Sequence, residues 1–223
     1  MGKKVLVIAA YANEEVLGCG GVIARLVHEG NDVHVLVVAQ GSPESSAVEV
    51  VDQINREMLA AHTVLGVRSR SVLDFTGSEL GTVSDGQLAN AIKQTIYKCQ
   101  SEIVYSPYPD NLNANHLKVH MATLGAIHPN DECPVHRLLC YEIPRETDGG
   151  IHARENKFIP MQFVNISNYV EQKLEAMTCY ESQLKEHPHV RSLASMESLA
   201  RLRGVMVHLD ATEAFMVIRD IIL

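Results

Sequence analysis

The segment that decides the fold is Val5-Leu6-Val7-Ile8-Ala9-Ala10-Tyr11-Ala12-Asn13-Glu14-Glu15-Val16-Leu17-Gly18-Cys19-Gly20-Gly21. Its continuous apolar start predicts a strand buried on both faces. The six apolar residues from Val5 to Ala10 are too few for a signal peptide or a membrane span. A polar loop follows, and then a helical pattern. The glycines lie one turn inside that helix and not at the strand-to-helix turn, which argues against a dinucleotide-binding fingerprint.

The same alternation of apolar runs and helical patterns continues along the chain and predicts βαβ units with right-handed crossovers. We therefore predict an α/β, Rossmann-like fold with a mainly parallel sheet and helices on both faces. The predicted strands are Lys4–Ala9, Asp32–Ala39, Arg70–Phe75, Ile103–Ser106 and Arg137–Ile143. The predicted helices between them are Glu15–Glu29, Ser46–Leu65, Asp85–Cys99 and Asn115–Ala126.

The sequence pattern changes in the C-terminal third, where a polar loop follows Asp148. Here the sequence predicts an edge segment, a helix with Ser167 as its N-cap, a second helix that Gly204 ends, and a last amphipathic helix. Their expected ranges are Phe158–Ile166, Ser167 to about Lys185, Ser192–Arg203 and Thr212–Ile222.

Composition limits the classes of protein that this chain can be. A length of 223 residues without a sharp compositional break predicts one domain, 1–223. The formal net charge of −8 gives no basic surface, so neither nucleic acid nor an anionic membrane is an expected partner. The five cysteines form no CxxC pair, and reduced thiols in a cytoplasmic protein are the simplest interpretation.

In an open parallel sheet the site lies beyond the carboxyl ends of the strands. The loops to search are therefore Tyr11–Glu14, Gln40–Ser46, Thr76–Gly81 and Pro107–Asn115. The last of these belongs to the second informative stretch, Val104-Tyr105-Ser106-Pro107-Tyr108-Pro109-Asp110-Asn111-Leu112-Asn113-Ala114-Asn115-His116.

Both stretches resemble signatures of the PIG-L/LmbE superfamily of zinc-dependent N-deacetylases. The first resembles Ala-His-Pro-Asp-Asp-Glu-Val-Leu-Gly-Cys-Gly-Gly, and the second resembles an Asp-Leu-Asn-x-Asp-His run that closes the metal site. Position by position, the resemblance makes Tyr11 the first metal ligand, Asn13 the general base, Glu14 the second ligand and His116 the third. Related motifs also fall at 141–144, 188–192, 203–204 and 212–215, so the resemblance covers nearly the whole chain.

Most of the side chains that this chemistry needs are replaced. Tyr11 is a poor substitute for imidazole at neutral pH, and Glu14 keeps a carboxylate that is one methylene longer. A carboxamide at Asn13 cannot accept the proton of an attacking water. Catalytic zinc sites usually have three protein ligands, and at most two survive here. Near-isosteric replacements of Asp by Asn indicate a pocket that is kept for binding. Its expected substrate-binding residues are Tyr11, Gly41, Ser78, Tyr108, Asn111, Asn115 and Arg191.

Other polar residues near these motifs have structural interpretations. His116 and His120 share a helix face, but His120 is expected to pack or to hydrogen-bond. Glu15 is expected to complement the dipole of the first helix, and Cys19 to be a small core residue. For Arg191, which follows His189 in its loop, a substrate-facing role and a salt bridge are both open.

The sequence leads to one main hypothesis and two alternatives. The main one is a deacetylase-fold pseudoenzyme with no zinc or weakly bound zinc. Its expected partner is a small molecule, an N-acetylated amino sugar or a glycoside, and a homo-oligomer would suit the family. The first alternative is an active metal-dependent hydrolase that uses Glu14, His116 and a third group such as Asn13, Asn115 or Tyr11. The second is a metal-free enzyme with new chemistry in the old pocket.

Overall fold

The computed structural model describes residues 2–41, 45, 47–109, 114–128, 133–143 and 158–222. Within these residues lies one sheet of seven strands in the order β3-β2-β1-β4-β5-β7-β6. The first five strands of this order are parallel, and β7 and β6 continue the sheet in antiparallel pairing. The strands are β1 Lys4–Ala9, β2 Asp32–Gln40, β3 Ser69–Thr76, β4 Ile103–Pro107, β5 Arg137–Tyr141, β6 Gln162–Asn165 and β7 Thr212–Asp220.

Helices cover both faces of the sheet. They are α1 Glu14–His28, α2 Val48–Leu65, α3 Gly77–Thr82, α4 Asp85–Cys99, α5 Ala114–Ala126, α6 Val170–Thr178 and α7 Leu193–Val205. Alternate side chains of β1 enter two separate cores. Val5 and Val7 belong to the core formed with α1, α2, α6 and α7. Leu6 and Ile8 belong to the core formed with α3, α4 and α5. Burial on both faces explains why β1 is a continuous apolar run.

The glycines of α1 allow neighbouring elements to approach its backbone closely. A Cβ atom built on Gly18 would lie 2.1 Å from the ring of Tyr141, and one on Gly21 would lie 2.7 Å from Ile166. Beside them, Glu213 of β7 accepts hydrogen bonds from two backbone N–H groups of α1, and its Oε1 lies 2.6 Å from Nζ of buried Lys173. The Gly-rich part of the first motif therefore joins α1 to β5, β7 and α6.

The structure confirms the predicted fold class, including the mainly parallel sheet between helices and the edge position of the segment that contains β6. The predicted last helix is wrong, because Thr212–Asp220 is a strand. It pairs with β5 on one side and β6 on the other. Pairing on both sides favours an apolar run, and a short apolar run does not distinguish a strand from a buried helix.

Two smaller predictions were also wrong. The loop expected at Thr76–Gly81 contains α3, which starts with a capping box between Thr76 and Glu79. The helix expected from Ser167 begins only at Val170, because Ser167 instead donates its hydroxyl to Asn165 Oδ1 at 2.7 Å. In the described ranges no helix is long and apolar enough to cross a membrane.

Candidate functional site

The candidate site lies at the carboxyl ends of β1, β3 and β4. Strand β1 pairs with β2 on one side and β4 on the other, so the chain changes direction across the sheet at this point. Such a switch point opens a crevice beyond the strand ends. Residues 11–13 follow β1, Gly77 follows β3, and Asn115 and His116 lie in the first turn of α5 after β4.

The centre of the site is a direct contact between Glu14 and His116, two of the three residues that the family resemblance places at metal-ligand positions. Glu14 Oε1 lies 2.7 Å from His116 Nε2. The other oxygen of Glu14 accepts hydrogen bonds from the backbone N–H groups of Ala10 and Tyr11, at 2.9 and 3.2 Å. Burial opposes the charged form of His116, but the charge and the hydrogen bond of Glu14 outweigh it, so the pKa of His116 is raised. The pair is therefore a buried, charge-assisted hydrogen bond.

A second contact lies beside this pair. Asn115 Nδ2 donates to Tyr11 Oη at 2.6 Å and is also 3.4 Å from the carbonyl oxygen of Gly77. A Cβ atom on Gly77 would lie 2.8 Å from Tyr11 Oη, so the absence of a side chain there makes room for the phenol. Tyr11 and Asn115, which replace metal-site residues in the resemblance, are thus bonded to each other.

Asn13 joins the site to the segment after α6. Its backbone has φ of 84°, a left-handed conformation that Asn tolerates better than most residues, and its side chain does not cap α1. Instead, Asn13 Nδ2 lies 3.5 Å from Gln183 Oε1, which also accepts a bond from Arg191 Nη1 at 2.9 Å. Asn13 and Arg191 are therefore linked through Gln183, a residue that the motifs did not reveal.

A buried polar cluster lies next to Asn13. Glu15 is fully buried, and its Oε1 accepts a hydrogen bond from Tyr180 Oη at 2.5 Å and lies 3.1 Å from His62 Nε2. Burial raises the pKa of Tyr180, and Glu15 raises it further, so the phenol stays protonated and donates. Glu15 lies in the first turn of α1, as expected for a carboxylate that complements the dipole, but it also joins α1 to α2 and to Tyr180.

The observed pair of Glu14 and His116 does not fit a zinc ion. Ligands at about 2.0–2.1 Å around a tetrahedral zinc lie about 3.3 Å apart, whereas Glu14 Oε1 and His116 Nε2 are 2.7 Å apart. Both oxygens of Glu14 already accept hydrogen bonds from the protein. Within the described residues no group of three or more His, Cys, Asp or Glu could hold a metal ion.

The remaining site residues of the sequence prediction have different positions. Ser78 is exposed at the start of α3, with its hydroxyl 3.1 Å from that of Thr76. The ring of Tyr108 packs edge-to-face on Phe158 at 5.5 Å. Gly41 is buried after β2, with φ of 73°. None of these contacts joins the three residues to the pairs above, and Asn111 lies outside the described residues.

His120 packs and hydrogen-bonds, as expected. Its Nδ1 lies 3.3 Å from both Ser106 Oγ and Cys140 Sγ. Burial lowers the pKa of His120 to about 4, so the imidazole is neutral. Sequence spacing could not reveal Gln183 and Tyr180, because they reach the site from a segment far along the chain. The only indication of this segment in the sequence was the nearby run at 188–192, which resembles a motif of the family.

Comparison with known proteins agrees with this architecture. The curated diacetylchitobiose deacetylase of Thermococcus kodakarensis is 28% identical over 212 residues, which cover 86% of this chain and 76% of that protein. The crystal structure of the conserved protein TT1542 from Thermus thermophilus has a TM-score of 0.80 and 21% identity, with 99% of this chain and 97% of that chain covered.

A second solved structure shows the same fold in a protein with another name. The 4-carboxy-2-hydroxymuconate hydratase GalB of Pseudomonas putida KT2440 has a TM-score of 0.78 and 20% identity, with 99% of this chain and 98% of that chain covered. The sequence model of the family PIG-L, described as GlcNAc-PI de-N-acetylase, matches residues 6–127. This match spans more than half of the chain and includes both motifs that form the site, so the chain belongs to the PIG-L family.

Proposed function

We propose that this chain is a PIG-L-family protein with impaired N-deacetylase activity that keeps a pocket for an N-acetylated amino sugar or a related small molecule. The observation that carries the proposal is the closed contact between Glu14 and His116, next to a carboxamide at Asn13. Two residues at metal-ligand positions bond each other, and the residue at the base position cannot take a proton from water.

The loss of catalytic rate that we expect from these replacements is large. Positioned acid–base catalysis typically contributes about 10²- to 10⁴-fold in rate. Activation of water by a metal is a separate contribution. Tyr11, Asn13 and Asn115 are polar groups at this edge of the sheet, and Arg191 is joined to Asn13 through Gln183. They are suited to hydrogen bonding with a neutral polar molecule such as a sugar.

The choice of an amino sugar follows the relatives. The Thermococcus kodakarensis protein is named for deacetylation of diacetylchitobiose, and it aligns with most of this chain. We therefore use N,N'-diacetylchitobiose as the first probe. Hydroxyl and acetamide groups offer both donors and acceptors, which carboxamide and phenol side chains can bind.

The experiment measures metal content, turnover and binding on the same purified protein. With added zinc, we expect turnover of N,N'-diacetylchitobiose far below about 1 per second, the low end of ordinary enzymes. We also expect saturable binding by calorimetry, which Tyr11→Ala weakens. The control that leaves binding unchanged is Glu197→Gln on α7, because the side chain of Glu197 is partly exposed and, among the described residues, hydrogen-bonds only Arg201.

The alternative is an active metal-dependent hydrolase that uses Glu14 and His116. Stoichiometric zinc together with turnover near 1 per second or above would establish this alternative and contradict the proposal. Absence of binding of any N-acetylated amino sugar would contradict the second half of the proposal, the retained pocket.

A further inference from the structure

Gln183 lies between two residues of the candidate site and bonds both of them. It is buried, with 9% of its surface exposed, and its Oε1 accepts from Arg191 Nη1 at 2.9 Å and from Asn13 Nδ2 at 3.5 Å. Its Nε2 donates to Ser182 Oγ at 3.2 Å. Both ends of the Gln183 carboxamide therefore have a partner.

The orientation of the two carboxamides follows from Arg191. The oxygen and nitrogen of Asn and Gln side chains are assigned from their hydrogen bonds, since their shapes are nearly identical. A guanidinium can only donate, so the atom of Gln183 that faces Arg191 must be its oxygen. That oxygen can accept from Asn13 but not donate to it, so Asn13 must turn its NH₂ group towards Gln183.

This orientation leaves Asn13 Oδ1 on the side away from Gln183. The side chain of Asn13 does not cap α1, and among the described residues no group donates to this oxygen. The oxygen is not fully enclosed by the protein, so solvent can reach it. A carboxamide oxygen in this place is a hydrogen-bond acceptor beside Glu14, in the crevice at the end of β1.

We propose that Gln183 and Arg191 are positioning residues that fix the Asn13 carboxamide, so that the position of the family's general base becomes an acceptor for an N–H or O–H group of the ligand. This inference rests on the proposed function for the existence of the ligand. It adds that the ligand group at Asn13 is a donor, such as an acetamide N–H or a hydroxyl, and not a carboxylate. A buried acceptor discriminates strongly against a group that cannot donate to it.

A space-filling role for Gln183 is the competing explanation, and two variants of similar size separate the roles. Gln183→Glu keeps an oxygen that accepts from both Arg191 and Asn13. Gln183→Met keeps the approximate volume but removes the acceptor. If Gln183 positions Asn13, the Gln183→Glu variant should keep the amide protection and ligand affinity of the parent and Gln183→Met should lose them. If Gln183 only fills space, Gln183→Met should keep them as well.

The first measurement is hydrogen exchange of the Asn13 side-chain amide by NMR in the ligand-free protein, with Asn13→Asp used to assign its signals. We expect exchange about fivefold or more faster in Gln183→Met and unchanged protection in Gln183→Glu. Equal protection in the parent and Gln183→Met, or loss of protection in both variants, would overturn the proposal. If Gln183→Met does not fold, Arg191→Met and its conservative counterpart Arg191→Lys make the same comparison, since Lys also only donates.

The second measurement is binding of N,N'-diacetylchitobiose to the folded variants. We expect at least about fivefold weaker binding to Gln183→Met and parent-like binding to Gln183→Glu. Parent-like affinity of Gln183→Met would overturn the ligand half of the inference. If the parent does not bind the disaccharide, the proposed function has failed for this probe, while the exchange measurement on the ligand-free protein still decides the positioning.

Discussion

Changing Tyr11 to His and Glu14 to Asp should create a zinc site at the place where Glu14 and His116 now contact each other directly. The double variant offers the three-ligand set that the family resemblance implies, together with His116. Glu14 Oε1 and His116 Nε2 must separate by about 0.6 Å, from 2.7 Å to the roughly 3.3 Å of a tetrahedral site. Removing one methylene shortens the side chain by about 1.5 Å, which is more than this difference.

The energetic effect should have two parts. Without zinc, the double variant loses a buried charge-assisted contact and the phenol's bond with Asn115, so we expect destabilisation by about 3–5 kcal/mol. With zinc at about 100 times its Kd, binding should return about 2.7 kcal/mol. At about 2–4 °C per kcal/mol for a chain of this size, zinc should raise the Tm by about 5–10 °C.

Titration calorimetry and thermal melts with and without zinc test this prediction. Glu14→Asp alone is the matched control, since it opens the same gap but supplies only two ligands. We expect a smaller zinc-dependent rise in Tm for that control and none for the parent. If the double variant binds zinc no better than the parent, the pocket has rearranged, and the residue-by-residue assignment from the family should be abandoned.

Three further predictions concern other residues. Adding Asn13→Asp to the zinc-binding variant should give measurable hydrolysis of N,N'-diacetylchitobiose. Unchanged zinc affinity with hydrolysis still absent would count against Asn13 as the lost base. The pKa of His120 is lowered from 6.5 to about 4 in the folded protein, so its contribution to stability is present above pH 6.5 and is lost as the pH falls towards 4. His120→Gln should therefore flatten the fall in Tm over this range, and melts with the same slope as the parent would refute the assignment. Lys173→Met leaves Glu213 buried without its cation and should lower the free energy of unfolding, measured with urea, by about 3–5 kcal/mol. Lys173→Met combined with Glu213→Gln should lower it by less. Equal losses in the two variants would contradict the pairing.

The sequence by itself determined the fold class, because strands buried on both faces leave continuous apolar runs and intervening helices leave a period of three to four residues. It also determined which residues follow β1 and β4, and that position 13, the general-base position in the family resemblance, carries a carboxamide. The sequence predicts a helix at Thr212–Ile222 where the structure has the strand Thr212–Asp220, because a strand paired on both sides carries the same apolar composition as a buried helix.

Only the tertiary structure decided which contacts the residues of the two motifs make with each other. Nothing in the order of residues indicates that Glu14 bonds His116 directly, or that Asn115 bonds Tyr11, since these distances depend on how β1 and α5 pack. Gln183 is 170 positions from Asn13 and belongs to neither motif. Hydrogen bonds require particular distances and directions in space, and local sequence patterns specify these only within one helix or strand.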